Sequence, residues 1–394
     1  MNLALLKPEI QQFINEHLHD DSTKLLLKYK EIEGVPFAEI LEQIEAKAKC
    51  EKKLPTWFQA SNCYFPTKLN IEQTSSEETA KYKASLLQGT SLIDLTGGFG
   101  VDCYAFSKKF EEVTHCEIST ELSEIVAHNY KILKVSNIKT IAEDGINYLQ
   151  NTQQTYDCIY LDPSRRNDVK GKVFLLEDCL PDVISHQNLL FQHATTILIK
   201  TAPLLDITNG LRSLKHVKEV HVVAVQNEVK ELLWLLDKNT ISTDILIKTI
   251  NLKKENSEIF NFLLSEEKNL STDFGLPKKY LYEPNAAILK AGGFLSVATT
   301  FGLEKLHQHS HLYTSDEWIE FPGRRFEVLK ILPYTKKIIK KELNLAKANI
   351  TTRNFPESVA TIRKKLAISD GGKDFLFLTT AFTGKKMVIY CQKA

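Results

Sequence analysis

The sequence predicts an α/β protein centred on a doubly wound, mostly parallel sheet, and three observations carry that expectation. Residues 91–102 read Ser-Leu-Ile-Asp-Leu-Thr-Gly-Gly-Phe-Gly-Val-Asp, a buried strand end (Leu92, Ile93, Leu95) running into Gly97, Gly98 and Gly100 and then a helix over 101–110. Strand-like and helix-like periods then alternate: strands over 113–117, 139–142, 156–161 and 196–200, helices over 120–133, 146–150 and 181–193. Polar residues follow at the strand exits, where ligands sit in this architecture.

Each element has its own reason. The glycines let backbone approach a ligand where a Cβ would collide. Asp94-x-Thr-Gly-Gly-x-Gly lacks the G-x-G-x-x-G spacing of a dinucleotide fingerprint, and no Gly-Lys-Ser/Thr follows, so it is not a P-loop. A plain tight connection would show the same glycines; the residues downstream decide. Glu117 ends the second strand 23 positions after Asp94, about where a nucleotide-type fold presents a carboxylate to ribose hydroxyls. Asp144 can accept from an adenine amino group and can equally cap the helix that follows. The fourth strand exits into Asp162-Pro163-Ser164-Arg165-Arg166, where Asp162 and the Pro163 carbonyl can accept hydrogen bonds and Arg165 and Arg166 can hold phosphate or a base edge. Residues 218–225 and 228–236 read as two adjacent strands that close the sheet with an antiparallel pair.

The flanks differ in charge. Residues 1–90 carry 11 Lys/Arg and 13 Asp/Glu, net −2, whereas residues 321–394 carry 16 and 5, net +11. A basic terminal domain on a chain of net charge +1 points to a polyanionic partner. Helical periods over 4–18 and 25–49 make the first 70 residues a helical packing domain. The aromatics of 56–58 and 64–66 close its core, and Ser75 or Ser76 caps a helix that opens with Glu77 and Glu78. Strands are expected over 244–252 and 258–264, with Pro284 near the first position of a helix and Asn285 as its cap or as a group reaching the active site. His307, His309 and His311 lack Cys or carboxylate partners and read as solvated, so no metal is expected. The tail reads strand, helix, strand, helix, strand, strand, with Arg363, Lys364, Lys365 and Lys373 flanking a Gly371-Gly372 turn. Lys7, Pro8 and Glu9 interrupt any secretory signal, no apolar run approaches ~18 residues, and seven scattered cysteines form no C-x-x-C pair. These features predict a cytoplasmic protein with reduced thiols and no membrane partner.

Over residues 71–237 the chain resembles class I S-adenosylmethionine-dependent methyltransferases. Asp94-Leu-Thr-Gly-Gly-Phe-Gly100 matches their cofactor loop, Glu117 the ribose-binding acid, Asp144 the adenine-side acid, and Asp162-Pro163 the catalytic loop. The resemblance implies a Rossmann-like sheet that binds S-adenosylmethionine through Asp94, Thr96, Gly97, Gly98, Gly100, Glu117, Asp144 and Gly145. It places catalysis at Asp162, Pro163, Ser164 and Arg165. Asn129 is similar to an Asn of RNA methyltransferases of the cap guanine-N2 type, whose Asp-Pro-Pro-aromatic is here Asp-Pro-Ser-Arg-Arg. The whole chain resembles bacterial RNA methyltransferases with a C-terminal THUMP-like domain, on residues 282–292 (Tyr-Glu-Pro-Asn-Ala-Ala-Ile-Leu-Lys-Ala-Gly) and 363–372 (Arg-Lys-Lys-Leu-Ala-Ile-Ser-Asp-Gly-Gly). The implied organisation is a helical domain over 1–70, the methyltransferase domain over 71–237, a small ferredoxin-like unit over 238–318 and a basic THUMP-like domain over 319–394.

The implied activity is methylation of an exocyclic base amine, of the guanine N2 or adenine N6 type, in tRNA or rRNA. Arg166, Arg353, Arg363, Lys364, Lys365 and Lys373 would hold the RNA. Two alternatives stay open: a carbon-directed pyrimidine methyltransferase, for which residues 195–203 offer no cysteine nucleophile, and a non-catalytic RNA-binding protein that keeps the fold.

Overall fold

The computed structural model describes residues 1–165, 175–240 and 244–394. Two units are distinguished, Met1–Val217 with Leu233–Ile241, and Lys218–Leu232 with Ser242–Ala394.

The first unit begins with a 3-10 turn and then α1 (Pro8–Glu16), α2 (Ser22–Lys28), β1 (Glu31–Ile32), β2 (Val35–Pro36), α3 (Phe37–Lys53), α4 (Pro55–Gln59), α5 (Lys68–Gln73) and α6 (Glu77–Ser85). The single helix expected over 25–49 is therefore two, parted by a ribbon. Glu33 and Gly34 both have positive φ (50° and 77°), a turn that reverses the chain and pairs Ile32 with Val35. Pro36 lacks the N–H a helix interior needs, so α3 starts after it. The aromatics expected to close the helical core do more than that. Trp57 is buried with its ring 4.9 Å from that of Tyr104. Tyr64 and Asn129 exchange two 2.8 Å hydrogen bonds, amide to backbone, while Gln43 grips Phe65 in the same way. Asn129 is thus a buried strut of the fold.

Next come β3 (Ser91–Asp94), α7 (Val101–Phe106), β4 (Glu112–Cys116), α8 (Thr120–Ile132), β5 (Ile138–Ile141), α9 (Gly145–Asn151) and β6 (Tyr156–Leu161). A short pair, β7 (Ser164–Arg165) with β8 (Cys179–Leu180), follows, then α10 (Val183–His193), β9 (Ala194–Thr201) and α11 (Ile207–Ser213). The strand order β5-β4-β3-β6-β9 is parallel throughout. Counted along the chain this is third, second, first, fourth, fifth, so the chain changes direction across the sheet between β3 and β6. That switch point is where a doubly wound sheet opens a ligand crevice. The helix expected over 101–110 ends at Phe106, after which turn hydrogen bonds carry the chain to Phe110.

β10 (Val217–Val225) and β11 (Glu228–Asp237) turn through Gln226 and Asn227, both at positive φ. In the second unit β10 runs parallel to β12 (Leu246–Leu252), which pairs antiparallel with β13 (Glu258–Leu263). After α12 (Leu264–Asn269) come β14 (Tyr280–Pro284), α13 (Ala286–Ala291), α14 (Phe294–Phe301), β15 (Glu304–Lys305) and β16 (Tyr313–Ser315). The tail is β17 (Gly323–Pro333), α15 (Lys336–Leu343), β18 (Asn349–Arg353), α16 (Val359–Leu366), β19 (Asp374–Thr380) and β20 (Lys386–Lys393). These strands form a sheet of order β15-β16-β14-β17-β20-β19-β18, bent at a bulge between Val328 and Lys330. Leu281, Leu312, Phe326, Phe377 and Ile389 pack together in one buried core cluster. Pro284 ends β14 instead of opening α13; Asn285 is the cap, accepting from the Ile288 N–H at 3.1 Å, and its amide donates to Glu258.

All seven cysteines are buried free thiols. Among the described residues no helix is long and apolar enough to cross a membrane, and no group of three His, Cys, Asp or Glu is placed to hold a metal.

Candidate active site

The exits of β3, β4, β5 and β6 are stitched together by backbone. Gly97 donates its N–H to the Cys116 carbonyl (2.7 Å), Glu117 to Ile141 (3.0 Å) and Leu95 to Tyr160 (3.1 Å). Asp162 donates its N–H to the Thr96 hydroxyl at 2.6 Å, and Thr96 in turn donates N–H and hydroxyl to one Asp94 oxygen. Four polar strand exits therefore share one rigid edge.

The glycine loop depends on having no side chains. A Cβ on Gly97 would lie 2.3 Å from Nε2 of His115, and one on Gly100, at φ +77°, would lie 2.2 Å from the Tyr130 hydroxyl. Gly145 abuts the Leu95 carbonyl just as closely. Gly98 differs: it needs positive φ (+54°), but its Cβ would meet nothing nearer than 3.9 Å, so this side of the loop is open. Its N–H donates to one Glu117 oxygen at 3.0 Å, while the other accepts from Ser119 at 2.7 Å. Glu117 is thus aimed back at the loop. Asp144 caps α9, accepting from Asn147 at 2.9 Å and keeping its second oxygen for other partners.

Beneath the loop lie groups that sequence reasoning missed. His115 is fully buried, its Nδ1 has no hydrogen-bond partner among the described residues, and burial pushes its pKa down to about 4. Asp94 is pushed up to about 7, first by burial and then by the negative charges of Asp102 and Asp162, against the lowering effect of the Thr96 N–H. Asp102 accepts from the Tyr160 and Ser75 hydroxyls, both at 2.9 Å, and pairs with Lys83 at 3.1 Å. Lys83 is 0% exposed and also donates to Ser75. A buried lysine and its acid thereby fasten α6 to α7, directly behind the glycine loop.

At the exit of β6, Asp162 is ion-paired with Lys200 from the end of β9. No sequence pattern announced this partner. The Pro163 side chain is buried and Ser164 is exposed. Arg165 belongs to β7; Arg166 lies outside the described residues.

The basic residues expected to hold RNA divide into two groups. Arg353 pairs with buried Glu283 at 2.7 Å, beside Arg324 on the same carboxylate. Arg363 donates to the Ala348 carbonyl and pairs with Asp370, and Lys365 pairs with Glu357 above the Tyr334 ring. Lys364 and Lys373 are exposed. The histidine cluster is partly packed: His311 stacks on Phe294 at 3.6 Å and is pushed down to about 4 by burial, while His307 bonds Asn354.

Comparison with known proteins fits this arrangement. Residues 58–225 match the family described as conserved hypothetical protein 95, residues 280–322 a ferredoxin-like domain, and residues 323–393 a THUMP domain-like family. No curated protein sequence matches the chain. Among solved structures, a "putative methyltransferase" from Porphyromonas gingivalis W83 is 35% identical, covers 98% of both chains and superposes with a TM-score of 0.88. An rRNA methylase from Streptococcus thermophilus (12% identity, 41% of this chain, 95% of the other, TM-score 0.31) is more distant. So is SMU.1697c from Streptococcus mutans, solved in complex with SAH (11%, 41% and 96%, TM-score 0.31). At 35% identity over nearly its whole length, the chain belongs to the family of the Porphyromonas gingivalis protein and joins a class I methyltransferase-like sheet to ferredoxin-like and THUMP-like domains.

Proposed function

We propose that the chain is a cytoplasmic S-adenosylmethionine-dependent RNA methyltransferase directed at an exocyclic base amine, guanine N2 or adenine N6, in tRNA or rRNA. The observation that carries the reading is the convergence of Gly98, Glu117, Asp144 and Asp162 on one edge of a parallel sheet at its switch point. The residues fit the cofactor. Gly98 offers open backbone, Glu117 can accept from a vicinal diol, and Asp144 keeps an oxygen for an amino group. When bound, the cofactor supplies an electrophilic methyl group on a sulfonium sulfur.

The chain's own groups do the positioning. Asp162 and the Pro163 carbonyl accept from the amine and orient its nitrogen lone pair; Thr96 fixes the Asp162 backbone and Lys200 its carboxylate. Arg165 and Arg166 hold the base or its phosphate. The basic C-terminal residues bind the RNA, as the THUMP-like match supports. Incubating the protein with isotope-labelled cofactor and total RNA, then identifying labelled nucleosides by mass spectrometry, tests the reading; label on an N2- or N6-methylated base is expected, and a label confined to carbon or ribose rejects the amine mechanism.

Two observations favour a second reading. Lys200 already engages Asp162, and no aromatic follows Pro163 to stack on a base. Both suit a non-catalytic RNA-binding protein that keeps the fold. Calorimetry with S-adenosylmethionine separates the two, because a decayed site should not bind it.

A further inference from the structure

On the C-terminal basic segment, charge is concentrated away from the glycine turn, where of the flanking residues only Lys364 and Lys373 are exposed without a carboxylate partner among the described residues. Arg353, Arg363 and Lys365 each face a carboxylate. Lys336, Lys337, Lys340 and Lys341 are all exposed on the two-turn helix α15, and among the described residues no carboxylate lies within ion-pair distance of any of them. On a helix, positions 336, 337, 340 and 341 share one face spanning about 140°, with successive rows about 6 Å apart along the axis. The apolar side adjoining this face is docked: Ile339 is buried, and Leu343 packs against the same core as Ile362, Leu366 and Val388. The helix is docked by its apolar side and holds its lysines outward.

Helix stability does not explain this charge pattern. Lys336 and Lys337 occupy the first turn, which carries no acidic residue and no side-chain cap, so they sit at the positive end of the macrodipole. Like charges four apart also repel. The helix's one acid, Glu342, turns to Lys330 on β17. Lys340 and Lys341 suit the negative end of the dipole, but Lys336 and Lys337 oppose its positive end and each faces a like charge four residues on, a pattern that suits an external polyanion.

We propose that the lysine face of α15 is the principal phosphate-binding surface of the C-terminal domain. Its partner is the ribose-phosphate backbone of RNA; the inference rests on the RNA reading above and names the surface through which it would act. The contact carries no base recognition, since lysine is a point charge on a flexible stem. It would hold the strand, leaving base selection to the active-site end of the chain.

The test is a salt series of filter-binding measurements on the full chain, with labelled single-stranded RNA of mixed sequence as probe. The variant carries Lys336→Gln, Lys337→Gln, Lys340→Gln and Lys341→Gln together; glutamine nearly equals lysine in helix propensity, and circular dichroism checks the fold. Each lost single-strand phosphate contact lowers the log–log salt slope by about 0.7, so a drop of roughly two to three is expected, with weaker binding at every salt concentration. The matching set of Lys→Arg changes should retain the slope. A folded glutamine variant that binds with the wild-type line overturns the proposal while leaving the RNA reading intact. Absence of any RNA binding by the wild type overturns the RNA reading itself. Loss of binding to phosphatidylserine vesicles with unchanged RNA binding would overturn it in favour of a membrane surface.

Discussion

Lys200 holds the Asp162 carboxylate from the neighbouring strand, so the acceptor at the exit of β6 is oriented by the exit of β9. If Lys200 acts through Asp162, the two substitutions will not add. Asp162→Asn should lower methyl transfer roughly a hundredfold or more, the several kcal/mol of a preorganised polar contact. Lys200→Gln should lower it about tenfold, and the double variant should match Asp162→Asn alone. Dissociation constants for S-adenosylmethionine should stay within about twofold throughout. Multiplicative losses in turnover would mean that Lys200 works independently.

Glu117 accepts N–H donors from Gly98 and Ser119, and on the proposed function it would also accept from the cofactor's ribose diol. On that reading Glu117→Ala would remove two charge-assisted hydrogen bonds to the ribose, worth roughly 1.5–3 kcal/mol each, so cofactor affinity should fall at least tenfold. Calorimetry on the folded variant decides; unchanged affinity would remove Glu117 from the cofactor site.

The buried Lys83–Asp102 pair makes a stability prediction. Lys83→Met leaves Asp102 facing two hydroxyls without a cation, and unpaired buried charges cost about 3–5 kcal/mol. The thermal midpoint should drop by roughly 6–20 °C. Adding Asp102→Asn should recover part of the loss. A scan in which Lys83→Met melts with the wild type would show the pair to be energetically idle.

Asp94 gives the fold a pH signature. Its carboxyl titrates near 7 in the native state, because of burial first, and at about 3.9 when unfolded. Between those values the native state keeps a proton that the unfolded chain releases. The stability this contributes is complete below about pH 4 and is lost as pH rises through about 7. Asp94→Asn cannot ionise, so from pH 4 to 8 its stability should gain on the wild type by on the order of a few kcal/mol. Urea titrations across that range measure the drift; parallel curves would contradict it.

The sheet was legible because its signals are local. The run 156–161 is strand from end to end, and Asp94, Glu117, Asp144 and Asp162 fall at or just beyond strand ends, where the alternation of periods put them. The helix over 25–49 failed because apolar spacing continued through Glu33-Gly34-Val35-Pro36, where a two-residue turn and a proline override it. Lys200 was invisible for another reason. Its meaning depends on β9 lying beside β6, a pairing between residues 38 apart that no local pattern encodes. Lys83 and His115 were hidden likewise: a lysine in a helix and a histidine in a strand look ordinary until packing removes their water. The Arg363 cluster looked free because Asp370 and Glu357 lie several residues away along the chain.

The bond from Lys83 to Asp102 also bears on how this protein could be taken apart. A fragment beginning at β3 would keep every strand of the parallel sheet and every acid at its edge. It would still take Lys83 and Ser75 away from Asp102 and uncover the faces of Tyr104 and Phe99 that Trp57 shields. The first ninety residues therefore act as a keystone, set before the arch in the chain but locking it in space, and the sheet is not a portable module.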